Sequence, residues 1–513
     1  MSILTGRDVQ RDLAVECDVC VVGSGAGGAC VAERLAAAGK RVVVLEEGGY
    51  HTSDTFTLDE ADTYPRLYQE RGTRATADLS IIVLQGRAVG GTTVVNWTTC
   101  LRTPPHVFEH WAEHHGVEGL TYETLVPHWE RLEARLNVKE APLAGVNRNN
   151  RVLWEGAGRL GWQPELLKRN VKDCAWLGYC GLGCPTDAKQ SMLVTLVPDA
   201  VRHGADVYAN VRVETIEADG RRIVRVNGRV LDPDSDRPTG RTVTVRPKVA
   251  VLACGGLNTP ALLLRSRLGT GRGRVGRRTF LHPVVASLAV FDEPIEAFYG
   301  IPQTVACRAF ARRAPGRAGF FIEAAPLHPM FAGLAMPGLG DALREQMDAL
   351  ARTNVLIALV IDGFDPSEEG GTVTLKANGE PRLDYRWTPR LVEAFREASK
   401  RMAEIQFAAG APLVRSLHTR PVVMTRRDDI ARLDRADFGP NRVKVFSAHV
   451  MGGCAMGRDP ARSVVDSRLR HHEFDNLFVV DGSVFPTSLG VNPQLTIYGL
   501  ASWAAETIRQ AAG

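Results

Sequence analysis

Cys17-Asp18-Val19-Cys20-Val21-Val22-Gly23-Ser24-Gly25-Ala26-Gly27-Gly28, closed by Val42-Val43-Val44-Leu45-Glu46, is the stretch on which the fold turns. Asp18 to Val22 is apolar enough for a strand buried on both faces. Ala29 to Ala38 favours a helix, and Val42 to Leu45 returns to the sheet. Gly23 to Gly28 joins the first strand to the helix as G-x-G-x-x-G, where glycines allow a tight turn, close approach of a pyrophosphate and close helix packing. A helix starting there points its N-terminus at the phosphates. Glu46 follows Gly23 by about 20 positions, where an acidic side chain accepts hydrogen bonds from ribose hydroxyls. The βαβ unit predicts an α/β dinucleotide site, and the pattern alone does not separate NAD from FAD.

Outward from this unit, two more sheet-returning strands are expected. Val249 to Ala253 runs into Gly255-Gly256, and Leu477 to Val480 runs into Asp481-Gly482. Three distant segments therefore build one nucleotide domain, placed at 14–105, 190–275 and 440–513. The rest, 106–189 and 276–439, is assigned to a substrate or cap domain. There Val284 to Phe291, Phe320 to Ile322 and Val355 to Ile361 read as strands, followed by a hairpin of Thr372 to Leu375 and Arg382 to Tyr385 with Asn378-Gly379 at its turn. Leu391, Phe395, Ala398, Met402 and Ile405 recur at helical spacing within Pro389 to Ala409, so that helix should cover an antiparallel sheet, with Phe407 off the stripe. Asp232 to Arg241 is polar and turn-rich and reads as a loop.

Composition excludes several classes. The 513 residues hold 44% hydrophobic and 23% charged side chains, enough apolar material for a large core. Net charge is +4 with the basic residues scattered, which argues against a nucleic-acid or anionic-membrane partner. No run approaches the ~18 apolar residues of a membrane span. The first residues carry no signal-peptide pattern, and the ten cysteines form no dense secreted framework, so a cytoplasmic protein is expected.

A second glycine-rich run, Gly86-Arg87-Ala88-Val89-Gly90-Gly91-Thr92-Thr93-Val94-Val95-Asn96, lets backbone amides approach a flat ring or a phosphate. This run resembles the flavin-contacting signature of the glucose-methanol-choline (GMC) oxidoreductases. Gly255 to Leu263 looks like that family's second signature, with Gly256 and Arg267 departing from it. Asp481-Gly482 and Val491-Asn492-Pro493 match its C-terminal flavin segment. The resemblance spans about residues 15 to 508 and implies FAD as cofactor in a Rossmann-like domain beside a substrate domain. The flavin-facing residues it implies are Gly23, Gly25, Ala26, Gly28, Glu46, Glu47, Arg87, Gly90, Gly91, Thr92, Asn96, Val213, Asp481, Gly482, Asn492 and Pro493. Some relatives bind flavin covalently through a histidine where this chain has Val95, so a dissociable FAD is expected.

Oxidising an alcohol requires a proton acceptor and a group that orients the oxygen while hydride leaves carbon. His449, in Ser447-Ala448-His449-Val450-Met451-Gly452-Gly453-Cys454, resembles the family's catalytic histidine and is expected as base, with Asn492 as its hydroxyl-orienting partner. Asn492-Pro493 also reads as N-cap and N1 of a final helix through Leu495 to Ile508, whose dipole would face the flavin edge. Glu323, in Ile322-Glu323-Ala324-Ala325-Pro326, resembles an active-site glutamate of the cholesterol oxidase branch. Its carboxyl is raised in pKa unless an arginine pairs with it. Resemblance to cholesterol oxidases and long-chain alcohol oxidases implies a bulky apolar alcohol. The acceptor is either O₂ or a protein or quinone.

Cys174, Cys180 and Cys184 are close enough in sequence to hold an iron-sulfur cluster, as in certain dehydrogenases of the family. The reading preferred for them is a glycine-rich loop of thiols near the flavin, and no metal enters the main expectation. A flavin-scaffold lyase is the further alternative, disfavoured by the intact His449 and Asn492 pair.

Overall fold

The computed structural model describes residues 3–312 and 316–513. The opening unit forms as read: β1 (Leu13–Val22), α1 (Ala26–Ala37) and β2 (Val42–Leu45), with β1 and β2 parallel. The helix begins three residues earlier than expected because Gly25 serves as its N-cap. β3 (Asp206–Tyr208) extends the sheet beyond β2, while β4 (Val211–Asp219), β5 (Arg222–Leu231) and β6 (Pro238–Leu252) extend it on the other side of β1. Leu477–Val479 pairs in parallel with the inner end of β6, so three remote segments do share one sheet.

The loop expected at 232–241 is shorter. Only its first part turns, and from Pro238 the chain is already in β6, paired antiparallel to β5 from Leu231 opposite Pro238. Its exposed face is polar, so the composition there mimicked a loop.

The second sheet is antiparallel through β7 (Val284–Val290), β8 (Phe320–Ala324) and β9 (Thr353–Val360), in the order β7-β9-β8. The strand Val445–Ser447 pairs with Val284 and joins Ile81–Val83, which ties the sheet to the flavin-signature region. α2 (Pro389–Ala408) covers one face with the expected stripe buried, and Gln406 bonds Ser287 and Asn354 beneath it. The hairpin of Thr372–Leu375 and Pro381–Asp384 also forms.

One expected boundary moves. Helices Pro105–His115 and Tyr122–Arg135, grouped by sequence with the substrate region, pack into the core of the nucleotide domain. Trp129 Nε1 donates to Leu495 O in α3 (Gln494–Ala511), and Trp111 Nε1 donates to Thr487 Oγ1. A second core fills the space between the antiparallel sheet and α2. The two cores meet around one cavity.

Candidate active site

That cavity encloses about 260 Å³ and runs from the βαβ turn to the end of the antiparallel sheet. Gly23, Gly25, Ala26, Glu46, Glu47, Gly91, Thr92, Asn96, Val213, Asp481, Gly482, Asn492 and Pro493 line it, together with His449. Gly28, Gly90 and Arg87 do not. A Cβ on Gly28 would fall 1.9 Å from Gly23 O, so this glycine serves helix packing. Gly90 N donates to Ser24 Oγ at 2.9 Å, and Arg87 pairs with Asp236 and Glu47. These three hold the wall from behind.

At the nucleotide end α1 has no side-chain cap, so its first amides are left for a ligand. A Cβ on Gly25 would meet only Gly91 Cα at 3.6 Å, which leaves open space along the turn. Glu46 accepts from Ser24 N at 2.9 Å, Ser24 Oγ at 2.7 Å and Gly48 N at 2.8 Å, and burial raises its pKa. The carboxylate is thus fixed at the end of β2. Asp481 ties the remote segments together, accepting from Gly255 N at 2.9 Å, Thr259 Oγ1 at 2.5 Å and Ser483 N at 2.8 Å.

The other end is where chemistry-bearing side chains meet. His449 is half-buried on the cavity wall, and burial lowers its pKa to about 4. Its Nδ1 lies 3.2 Å from Nδ1 of His282, whose Nε2 accepts from Gly490 N at 3.1 Å. Asn492 Nδ2 stands 3.5 Å from Glu323 Oε2, and Gln303 Nε2 donates to the same oxygen at 2.6 Å. Glu323 sits opposite Ile357 in the sheet, on the face that lines the cavity, but is covered by Asn492 and Gln303. Among the described residues no arginine pairs with it, and burial raises its pKa to about 8. Glu323 Oε1 and Asn492 Oδ1 are both buried without a partner.

The helix-cap reading of Asn492-Pro493 shifts by one position. Pro493 is the N-cap of α3, no side chain caps the helix, and Asn492 turns instead to Glu323. The uncapped N-terminus of α3 still faces the cavity through Pro493 and Gln494. Asn96 Nδ2 donates to Gln494 Oε1 at 2.6 Å.

The cysteine loop lies against the same wall. Lys189 is buried, its pKa lowered to about 8 by that burial, and its Nζ donates to Asn96 O at 3.1 Å, Cys180 O at 2.6 Å and Val94 O. Arg169 Nη2 lies 3.6 Å from Cys180 Sγ and 3.2 Å from Trp97 O. Among the described residues no group of three or more His, Cys, Asp or Glu is placed to hold a metal ion, so Cys174, Cys180 and Cys184 do not converge as a ligand set. They are free thiols in a loop that buttresses residues 94–97.

Comparison with known proteins decides the family. The sequence model of the GMC oxidoreductases matches residues 64–284 in its N-terminal part and 366–501 in its C-terminal part. The chain belongs to the GMC oxidoreductases. A model of NAD(P)-binding Rossmann-like domains also matches residues 21–65. An uncharacterized GMC-type oxidoreductase of Mycobacterium tuberculosis is 33% identical over 502 residues, covering 97% of this chain and 76% of its own. A long-chain-alcohol oxidase of Arabidopsis thaliana is 31% identical over 518 residues, covering 97% of this chain and 67% of its own. Pyridoxine 4-oxidase from Mesorbium loti superposes with a TM-score of 0.72 at 20% identity, covering 96% and 99% of the two chains. A variant of formate oxidase from Aspergillus oryzae gives a TM-score of 0.70 at 15% identity, covering 97% and 98%.

As a GMC oxidoreductase the chain is an FAD-dependent oxidoreductase. The residues present fit that cofactor: two uncapped helix N-termini and a fixed Glu46 carboxylate line one continuous cavity. Sequence reasoning missed His282, Gln303 and Lys189, which lie outside the quoted signatures. The one available signal was polar residues inside otherwise apolar runs, such as Leu281-His282-Pro283-Val284.

Proposed function

We propose that this GMC oxidoreductase oxidises a bulky apolar alcohol, a sterol or long-chain alcohol, to the corresponding carbonyl, with O₂ as electron acceptor. The observation that carries this reading is that His449 and Asn492 line the same cavity as the glycine turn and Glu46 of the dinucleotide seat. Bound FAD supplies the acceptor for the hydride leaving the alcohol carbon. The chain's own part is to hold the hydroxyl at His449 and Asn492 and to surround the carbon skeleton with apolar walls. Val284, Ile357 and Leu359 of the antiparallel sheet and Phe446 form that apolar side. The likeness to a plant long-chain-alcohol oxidase supports both the apolar substrate and the oxidase reading. Glu323 stands behind Asn492 and Gln303 and orients them from a hydrogen-bonded, buried position.

Val95 is buried and aliphatic, so we infer that the flavin is held without a covalent bond to this position and is released by acid precipitation. The ten free cysteines support a reducing, cytoplasmic compartment. No helix among the described residues is long and apolar enough to cross a membrane.

The test is an absorption spectrum of the anaerobic flavin-loaded protein, taken before and after sterols, long-chain alcohols and aromatic alcohols, and again after air. Bleaching near ~450 nm by an apolar alcohol, with recovery in air, is the expected result. Bleaching without recovery removes the oxidase assignment in favour of a dehydrogenase. No bleaching by any alcohol overturns the proposal.

A further inference from the structure

We propose that Arg74 is a positioning residue for the cofactor: it holds Gln69 and Gln85 by their amide oxygens, so that both turn their NH₂ groups into the cavity as donors to the diphosphate of FAD. A guanidinium carries N–H groups only and accepts nothing. Arg74 is 2% exposed, and each of its three nitrogens has a partner. Nε donates to Glu70 Oε1 at 3.0 Å, Nη1 to Gln85 Oε1 at 3.0 Å and Nη2 to Gln69 Oε1 at 3.2 Å. Each glutamine therefore gives its oxygen to Arg74 and keeps its Nε2 on the other side. Both side chains line the cavity, and among the described residues neither Nε2 has a hydrogen-bond partner.

The two amides are built into place. Gln69 N donates to Gln85 O at 2.9 Å, which sets the two residues side by side. Between Gln69 and Arg74 the chain turns through Glu70 and Arg71 with left-handed φ of 49° and 57°, strain of the kind retained at ligand clamps. Glu70 is shared between Arg74 Nε and Lys376 Nζ, 3.0 Å from each, so one positive charge is left over behind the neutral amides. Gln85 reaches the dinucleotide turn. Its Nε2 lies 3.5 Å from where a Cβ on Gly255 would stand, and Ala253 O, two residues earlier, lies 2.4 Å from where a Cβ on Gly23 would stand. Gly23 opens the G-x-G-x-x-G turn, at which this type of unit seats a diphosphate.

The anion needs such donors, because the basic side chains of the nucleotide end are engaged elsewhere. Among the described residues no lysine lines the cavity. Of its two arginines, Arg212 pairs with Glu380 at 2.5 Å, and Arg265 donates to the Val213, Glu214 and Gly379 carbonyls. Neutral N–H groups are what the site offers a diphosphate, and Arg74 aims two of them. This assignment does not depend on which alcohol is oxidised.

The test is the FAD dissociation constant of the full chain, from flavin fluorescence released on dilution, with ³¹P NMR of the loaded protein to read the diphosphate directly. Gln85→Glu keeps an oxygen for Arg74 and loses only the N–H donors, whereas Gln85→Met loses the donors without adding charge. Both should raise the dissociation constant about 10–100-fold, as loss of a hydrogen bond to a charged group does, and both should move a diphosphate resonance. Gln69→Glu and Gln69→Met should act alike. Arg74→Lys, a single-point donor, cannot hold both oxygens, so Gln85→Met made in that background should cost about threefold or less. Folded Gln69→Met and Gln85→Met proteins that bind FAD within about threefold of wild type, with unmoved ³¹P resonances, overturn the proposal. So does a Gln85→Met loss that is undiminished beside Arg74→Lys. If Arg74→Lys does not fold, the glutamine variants decide.

Discussion

Glu323 is a carboxyl with no exposed surface, two amide donors on one oxygen and none on the other. Its pKa, raised to about 8 by burial, makes the native state hold a proton that the unfolded chain releases near pH 4.5. Wild-type stability should therefore fall as pH rises through the window between those values. Glu323→Gln should remove that fall and be more stable than wild type at pH 8 by roughly 3–5 kcal/mol, the two converging below pH ~4.5. Urea midpoints at pH 4.5 and 8 check it, and parallel pH profiles would show that Glu323 is not the titrating group. His449→Ala should lower turnover by about a hundredfold or more with flavin still bound, because under the proposed function it removes a group that holds the hydroxyl while leaving the nucleotide seat intact. Flavin absorbance and steady-state rates measure the two halves of that statement. That His449 and Asn492 would line one cavity was readable because each lies in a short recognisable string. His282 was not, since its partner lies 167 residues away and a histidine before proline in an apolar run carries no mark of its neighbours. The cap assigned to Asn492 failed for the same reason: an amide offered a buried carboxylate leaves the helix end to the proline.

In α1 the glycines are set by distance. A Cβ on Gly27 would fall 1.7 Å from Val480 O, so Gly27→Ala must push the helix off the segment that follows Leu477–Val479. The expected result is a protein that purifies without flavin and is destabilised by about 1–3 kcal/mol or more, read from flavin content and thermal midpoint. Lys189 makes a comparable demand on the cysteine loop. Lys189→Met keeps the volume but leaves the Val94, Asn96 and Cys180 carbonyls without their donor, which should cost roughly 2–4 kcal/mol in chemical denaturation and loosen the wall around Asn96. The βαβ unit and α2 were legible because their apolar residues recur at the period of the element they form. The outer end of β6 was not: its alternating exposed residues and turn-forming neighbours read as loop, and only pairing with β5 makes it strand.

Across the whole molecule, two cores close on one cavity, so whatever fills the cavity binds the folded chain and not the unfolded one. FAD at a hundred times its Kd should stabilise the protein by about 2.7 kcal/mol, and the apoprotein should unfold at a lower temperature that rises with added FAD. An unfolding temperature indifferent to FAD would contradict that seat. The division into a nucleotide domain and an antiparallel-sheet region could be read from the switch in strand pattern, but not where the helices of residues 105–135 belong. Their packing against α3 is a contact across more than 360 residues, which local pattern does not carry. The sheet topology also has a consequence during synthesis. The glycine fingerprint leaves the ribosome early, yet β6 lacks its neighbour Leu477–Val479 and the cavity lacks Asn492 until some 450 residues later. At 5–20 residues per second that interval lasts roughly 20–90 s, and over its later part, about 10–45 s after β6 has been made, the apolar inner edge of β6 stays unpaired. Flavin loading therefore waits until the segment carrying Asn492 has been made, and a nascent-chain chaperone has more to shield in this protein than its Rossmann turn suggests.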